Sequence, residues 1–184
     1  MNAKQLFSEM EVKVSKYIPQ EHLVEIMKHL PRKDQIITEV LFHTGFRLDD
    51  VMYMRRWQLD RKYAKAVEAK TGKRRAVEIP RKLQEVLHDY FINQNIRSQF
   101  AYCWKAYLRK GNSRKKQHRT TYWRHFDRAV RAAGFAGRDY SPHSLRKCYA
   151  VNLYRQTGSL VTVQKDMNHS SLATTMLYAL SDKL

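Results

Sequence analysis

Apolar residues recur at helical spacing along most of this 184-residue chain, and one stretch switches to a different period. From Trp57 to Pro80, Tyr63 to Ala69 and Arg75 to Ile79 form short, partly alternating runs separated by Lys70, Thr71, Gly72 and Lys73. A Gly-centred polar spacer between two β-compatible runs is a hairpin signal, so a small antiparallel sheet with a basic tip is expected there. Elsewhere the spacing predicts helices. Leu23, Ile26, Met27 and Leu30 form a stripe after Pro19 that Pro31 ends, and Ile36, Ile37, Val40 and Leu41 form a second between Lys33 and His43. Leu48 to Met54 reads as a short helix with Asp49 and Asp50 in its first turn, where the helix dipole favours acids. Further helices are expected over Arg81 to Asn93, Thr120 to Gly134 with Thr120 or Thr121 as cap, Ser144 to Gln156, Ser159 to Met167 and Ser171 to Leu180. Ser98 to His118 gives no clear element. The fold class that follows is mainly α, of the α+β kind, and 43% apolar residues in a chain this long suffice for one sizeable core.

Charge narrows the partners. Thirty-five Lys and Arg stand against 17 Asp and Glu, a formal charge of +18 that attracts polyanions at long range and releases their counterions on contact. No apolar run approaches the roughly 18 residues of a membrane span, and Met1 to Met10 lacks the pattern of a signal peptide, so a cytosolic, DNA-associated location is expected. Cys103 and Cys148 are too few and too far apart for a disulfide scaffold or a Cys-rich zinc site and read as reduced structural thiols. Asp49 with Asp50 is the only adjacent acidic pair, which argues against a metal-dependent nuclease.

The last third carries His143, Ser144, Leu145 and Arg146, then Asn168, His169, Ser170 and Ser171, and finally Tyr178. An Arg offers a phosphate a planar fork of donors, a His donates or moves a proton near neutral pH, and a Tyr hydroxyl can act as a nucleophile. Together these are parts for breaking and rejoining a phosphodiester without a metal.

Thr44-Gly45-Phe46-Arg47-Leu48, Lys70-Thr71-Gly72-Lys73, His143-Ser144-Leu145-Arg146 and Asn168-His169-Ser170-Ser171, followed by Thr174, Thr175 and Tyr178, resemble the ordered motifs of the tyrosine recombinase, or phage-type integrase, catalytic domain. The likeness extends from about Pro19 to Tyr178, which makes 1–18 an N-terminal extension and 19–184 the catalytic domain. It implies a metal- and ATP-independent recombinase that cleaves and rejoins double-stranded DNA through a 3′-phosphotyrosyl intermediate, with no cofactor. Arg47 and Arg146 would grip the scissile phosphate, His169 would add a donor, and Tyr178 would attack phosphorus. Lys70, favoured over Lys73 because it directly precedes the Thr-Gly of the turn, would protonate the departing 5′-oxygen. His143 would take or return the tyrosine proton, a task suited to an imidazole with a pKa of roughly 6.5. Two arginines and an imidazole would also offset the roughly 4 kcal/mol that scarce phenolate costs at neutral pH.

Lys73, Arg74, Lys110, Arg114, Lys115, Lys116, Arg119 and Arg124 are the expected DNA contacts, with Trp104 and Tyr107 left as packing. Arg75 reads as a solvated hairpin cation, His118 and His125 as surface or phosphate-contacting residues. Outside the motif set, Arg47 would simply pair with Asp49 or Asp50. Integration or excision of a mobile element is the first expectation, with assembly as a dimer or tetramer on DNA and accessory DNA-bending proteins. Inversion of a DNA segment is the alternative, a non-catalytic DNA-binding regulator another, and topoisomerase-like relaxation an expected side activity. Three departures from the family pattern stand out. Little sequence precedes the catalytic motifs, as in small recombinases that invert fimbrial promoter segments or in a fragment of a longer integrase. Asn168 and Met167 replace the usual Gly and Leu, and six residues follow Tyr178. Asn tolerates left-handed backbone, so the turn at Asn168 is expected to survive.

Overall fold

The computed structural model describes residues 15–59, 62–106 and 116–183. Tyr107, Lys110, Arg114 and Lys115 lie outside the described residues. The expected helices are present as α1 (Gln20–Lys28), α2 (Arg32–Thr44), α3 (Leu48–Met52), α5 (Arg81–Asn93), α6 (Arg119–Ala132), α7 (Pro142–Thr157), α8 (Leu160–Asp166) and α9 (Leu172–Ala179). A short α4 (Arg56–Leu59) precedes the hairpin and was not anticipated, because four residues are too few to display a period. The hairpin pairs β1 (Tyr63–Val67) with β2 (Arg74–Glu78), Tyr63 facing Glu78 and Val67 facing Arg74. Its strands alternate between solvent and core, and Ala64, Ala66, Arg75 and Val77 point inward. Residues 98–106 are irregular apart from isolated bridges joining Tyr102 to Arg55 and Lys105 to Lys116.

Helix α7 is central, packing against α2, α8 and α9. Ile37, Val40, Leu41, Phe46, Leu87, Phe91, Trp104, Tyr122, Phe126 and Leu145 fill the main core, and Ala150, Val163, Met167 and Ala179 form a satellite beneath α8 and α9. Trp104 is fully buried and its indole N–H donates to the Val51 carbonyl at 2.7 Å, so it is packing, as expected. Cys103 and Cys148 are both buried. Two readings are corrected. The cap of α6 is His118, whose ring accepts from the Thr120 amide, instead of Thr120 or Thr121. His125 is not a phosphate-facing surface residue, since its Nδ1 bonds to the fully buried Asp34 carboxylate at 2.5 Å.

Gly45 ends α2 in left-handed backbone (φ 60°), and a Cβ there would lie 2.4 Å from a ring carbon of Tyr149. Gly45→Ala therefore combines a strained backbone with a displaced ring on α7, and a loss of roughly 3 kcal/mol of stability is expected by urea denaturation. A loss below about 1 kcal/mol would contradict this packing.

Candidate active site

Three segments distant in sequence meet at the N-terminus of α7. Ser141 caps that helix, accepting from the His143 amide while Ser144 Oγ accepts from the Ser141 amide, and Pro142 occupies its first position. This closed cap fixes His143 in the first turn and Arg146 at the start of the second turn of a 16-residue helix, whose positive dipole end favours an anion.

Arg146 is 2% exposed. Its Nη1 donates to the Gly45 carbonyl at 2.5 Å and its Nη2 to the Met167 carbonyl at 2.9 Å, so two chain reversals hold its fork. Burial, with the charges of Arg47 and Arg75, lowers its pKa to about 10, which leaves it cationic at neutral pH. Arg47 sits just ahead of α3 and pairs with Glu68 at 2.5 Å, not with Asp49 or Asp50. Asp50 is instead turned toward the hairpin, where it accepts from the Ala69 amide at 2.9 Å. Asp49 pairs with Arg119 at 2.7 Å.

Glu68 escaped the sequence reading. Fully buried at the base of the hairpin turn, it takes hydrogen bonds from Arg47 and from the Thr71 hydroxyl, and its second oxygen is 3.7 Å from Arg146. Burial alone would raise its pKa, but those hydrogen bonds and the Arg146 charge overturn that and hold it below the usual carboxylate range. One carboxylate thus braces two guanidiniums. A Glu two residues before a hairpin Lys was the available signal, lost among the surrounding charges.

His169 follows Asn168, which adopts φ 54° as expected. Its Nδ1 lies 3.2 Å from Thr175 Oγ1, and its ring meets that of Tyr178 edge-on at a centroid distance of 4.9 Å. On the other side His143 meets Tyr178 at 5.5 Å, nearly perpendicular, with its Nε2 hydrogen-bonded to the phenol oxygen. Tyr178 is therefore held between two imidazoles. Burial raises its pKa, and the opposing pull of Arg146 and Arg47 does not cancel that rise, so the offset expected from the arginines is incomplete without a substrate.

His143 departs from the near-neutral value expected, and His169 shifts with it. Desolvation, reinforced by Arg146, Lys147, Arg47 and Lys70 at His143 and by Arg146 and Arg47 at His169, lowers each to about 4. They are neutral at working pH, and a neutral His143 Nε2 can accept the phenol proton. The unfolded chain titrates these groups near pH 6.5 and the folded chain near 4, so the unfolded chain holds more protons between those values. Stability is thus expected to fall as pH drops through that window. Urea midpoints measured from about pH 7 to 4.5 should decline more steeply for wild type than for the double variant His143→Gln/His169→Gln, and equal slopes would contradict the assignment.

Lys70 is exposed on the hairpin turn, and its charge reaches His143. Lys147, unremarked in the sequence, is 7% exposed, with its ammonium 5.8 Å from the centre of the Tyr178 ring. Burial lowers its pKa. Arg75 also departs from expectation: it is not a solvated hairpin cation but is 6% exposed and paired with Asp166. Among the expected DNA contacts, Lys73, Arg74, Arg119 and Arg124 are exposed, while the Lys116 ammonium lies 2.9 Å over the Tyr53 ring. No group of three or more metal-ligating side chains occurs among the described residues. No helix among them is long and apolar enough to cross a membrane.

Comparison with known proteins gives this arrangement a context. A family model described as the phage integrase family matches residues 16–184. The tyrosine recombinase XerA of Thermococcus kodakarensis is 24% identical over 162 residues, covering 86% of this chain and 54% of that protein. The tyrosine recombinase XerC of Mycobacterium tuberculosis is 29% identical over 153 residues, covering 81% of this chain and 50% of its own length. The chain thus spans about half the length of these relatives. Among solved structures, a XerA recombinase superposes with a TM-score of 0.72 at 20% identity, covering 90% of this chain and 60% of that one. Lambda integrase bound to DNA gives 0.72 at 20% identity, covering 95% of this chain and 65% of the other.

Proposed function

Because the chain belongs to the phage integrase family, we propose that it carries the strand-cleaving and strand-joining chemistry of a site-specific recombinase on duplex DNA. The observation that carries this reading is the Tyr178 hydroxyl, hydrogen-bonded to a neutral imidazole within the field of two guanidiniums. In the proposed reaction, Arg47, Arg146 and His169 hold the non-bridging oxygens of a phosphodiester and stabilise the charge that gathers there as phosphorus becomes pentacoordinate. Tyr178 Oη attacks phosphorus as its proton passes to His143 Nε2. The bond from phosphorus to the 5′-oxygen breaks, and Lys70 protonates that oxygen. The products are a 3′-phosphotyrosyl bond and a free 5′-hydroxyl. Because the phosphoester is exchanged and not hydrolysed, the reverse attack by a 5′-hydroxyl rejoins a strand without ATP.

Arrival of the phosphate monoanion raises the pKa of both histidines, so a proton on His143 becomes easier to hold in the complex than in the free site. The exposed cations Lys73, Arg74, Arg119 and Arg124, with Lys116, are proposed to hold flanking phosphates. The catalytic unit is residues 19–184, acting in the cytoplasm on DNA as a dimer or tetramer with accessory DNA-bending proteins, in integration or excision of a mobile element. Lambda integrase has been solved as a dimer bound to a COC′ core site, which supports pairing on DNA as the working arrangement.

The test uses a pool of nicked duplexes tiled across the DNA flanking the coding sequence of the chain, incubated with the protein in EDTA and resolved on denaturing gels. A nick next to the scissile bond lets the 5′-end diffuse away and traps the covalent species. Protein attached to a DNA 3′-end is the expected product. Cleavage that requires magnesium, or no attachment to any duplex of the pool, would contradict the proposal.

A further inference from the structure

Arg75 lies on the inward face of β2 opposite Ala66, with its side chain 3% exposed, a costly place for a guanidinium. Its Nη2 donates to Asp166 Oδ2 at 2.6 Å, while its Nε and Nη1 are buried with no hydrogen-bond partner among the described residues. The rings of Phe46 and Tyr149 lie 4.9 and 5.1 Å from its guanidinium carbon. The Tyr149 hydroxyl donates to the same Asp166 oxygen at 2.8 Å. Replacing a buried ion pair with apolar side chains of similar volume is often neutral or stabilising, so stability alone does not account for this one.

Its connections point elsewhere. Asp166 is the last residue of α8, directly before Met167, whose carbonyl receives one nitrogen of Arg146, and three residues before His169. The Tyr149 ring presses on Gly45, whose carbonyl receives the other nitrogen. Both carbonyls that orient Arg146 are thus backed by one cluster reaching in from the hairpin. We propose that Arg75, locked by Asp166 and Tyr149, is a positioning residue that sets the orientation of Arg146 and the charge environment of His169.

The charge argument follows from what faces His169. Tyr178 and Thr175 face it from α9, while the charges that reach it are Arg146 from α7, Arg47 from the start of α3, Glu68 from the hairpin base and Arg75 from β2. Arg75 is one of three guanidiniums that disfavour a proton on this ring. Removing its charge makes the ring easier to protonate.

The inference about cleavage rests on the reading that Tyr178 attacks DNA, and the experiment separates the two. The His169 titration is followed by NMR in histidine-labelled full-length protein, and single-turnover adduct formation is measured on the nicked duplex most reactive with wild type. Arg75→Met is expected to raise the His169 pKa and to slow adduct formation at least about tenfold, because a displaced fork misaligns the phosphate. Arg75→Lys is expected to return the titration toward wild type without restoring the rate, since an ammonium keeps the charge and lacks the fork. An unmoved titration in Arg75→Met, or a wild-type rate in either variant, overturns the inference. Should Arg75→Met fail to fold, Arg75→Lys decides by its rate. Absence of any adduct with wild type would count against the proposed function, while the titration would still judge the charge role of Arg75.

Discussion

Phenylalanine in place of Tyr178 is expected to abolish covalent attachment to DNA and leave duplex binding intact. The substitution removes one oxygen and preserves a ring that meets His169 and His143 edge-on at 4.9 and 5.5 Å, so the pocket keeps its shape. The hydrogen bond to His143 and the hydroxyl proposed to attack phosphorus are lost together. Removal of a nucleophile from a preorganised site costs at least about 10⁴-fold in rate, beyond what a water molecule in its place could recover. Binding should persist because it draws on a formal charge of +18 spread over the whole chain. Adduct formation on the nicked duplex is read by denaturing gel and affinity by electrophoretic mobility shift. An adduct at the wild-type level would move the nucleophile to another residue.

Arg146→Met is expected to combine loss of the proposed phosphate grip with a structural loss. The guanidinium holds the Gly45 and Met167 carbonyls and shares the buried Glu68 carboxylate with Arg47. Its removal leaves two acceptors to find new donors, and a stability loss of about 3 kcal/mol is expected from urea titration. Loss of a fixed donor to the transition state costs a further 10²- to 10³-fold or so in the rate of adduct formation at saturating DNA. Arg146→Lys should recover little, because one ammonium cannot span two carbonyls and a phosphate with the geometry of a planar fork. Adduct formation within about threefold of wild type in Arg146→Lys would contradict the role assigned to the fork.

Much of this was legible in the sequence, for identifiable reasons. Helix α5 was expected over Arg81 to Asn93 and spans those residues, because an amphipathic stripe between Pro80 and a polar loop leaves little freedom in its bounds. The hairpin was marked by Gly72, which takes a positive φ of 68° in the turn. Each expected site residue belongs to a motif whose spacing is local and so could be picked out. The fold brings Arg47, His143, Arg146, His169 and Tyr178 together, while Lys70 stays on the exposed turn and reaches His143 through its charge. The residues that brace them were not legible. Glu68, Arg75 and Lys147 are charged, and a charged residue in a basic segment reads as solvated until its partner is known. The partner of Arg75 is 91 residues away and that of Glu68 is 21 away, and nothing local announces either pairing. The lowered histidine pKa values are likewise a property of assembly, since they arise from burial and from the arginines of other segments close at hand.

The most direct test of the central claim is to locate the covalent bond. The adduct trapped on the nicked duplex is digested with trypsin and nuclease, and the peptide bearing a nucleotide remnant is sequenced by mass spectrometry. A remnant on Tyr178, linked through the 3′-phosphate of the cleaved strand, is the expected result. A remnant on another side chain, or a linkage to the 5′-end, would contradict the account.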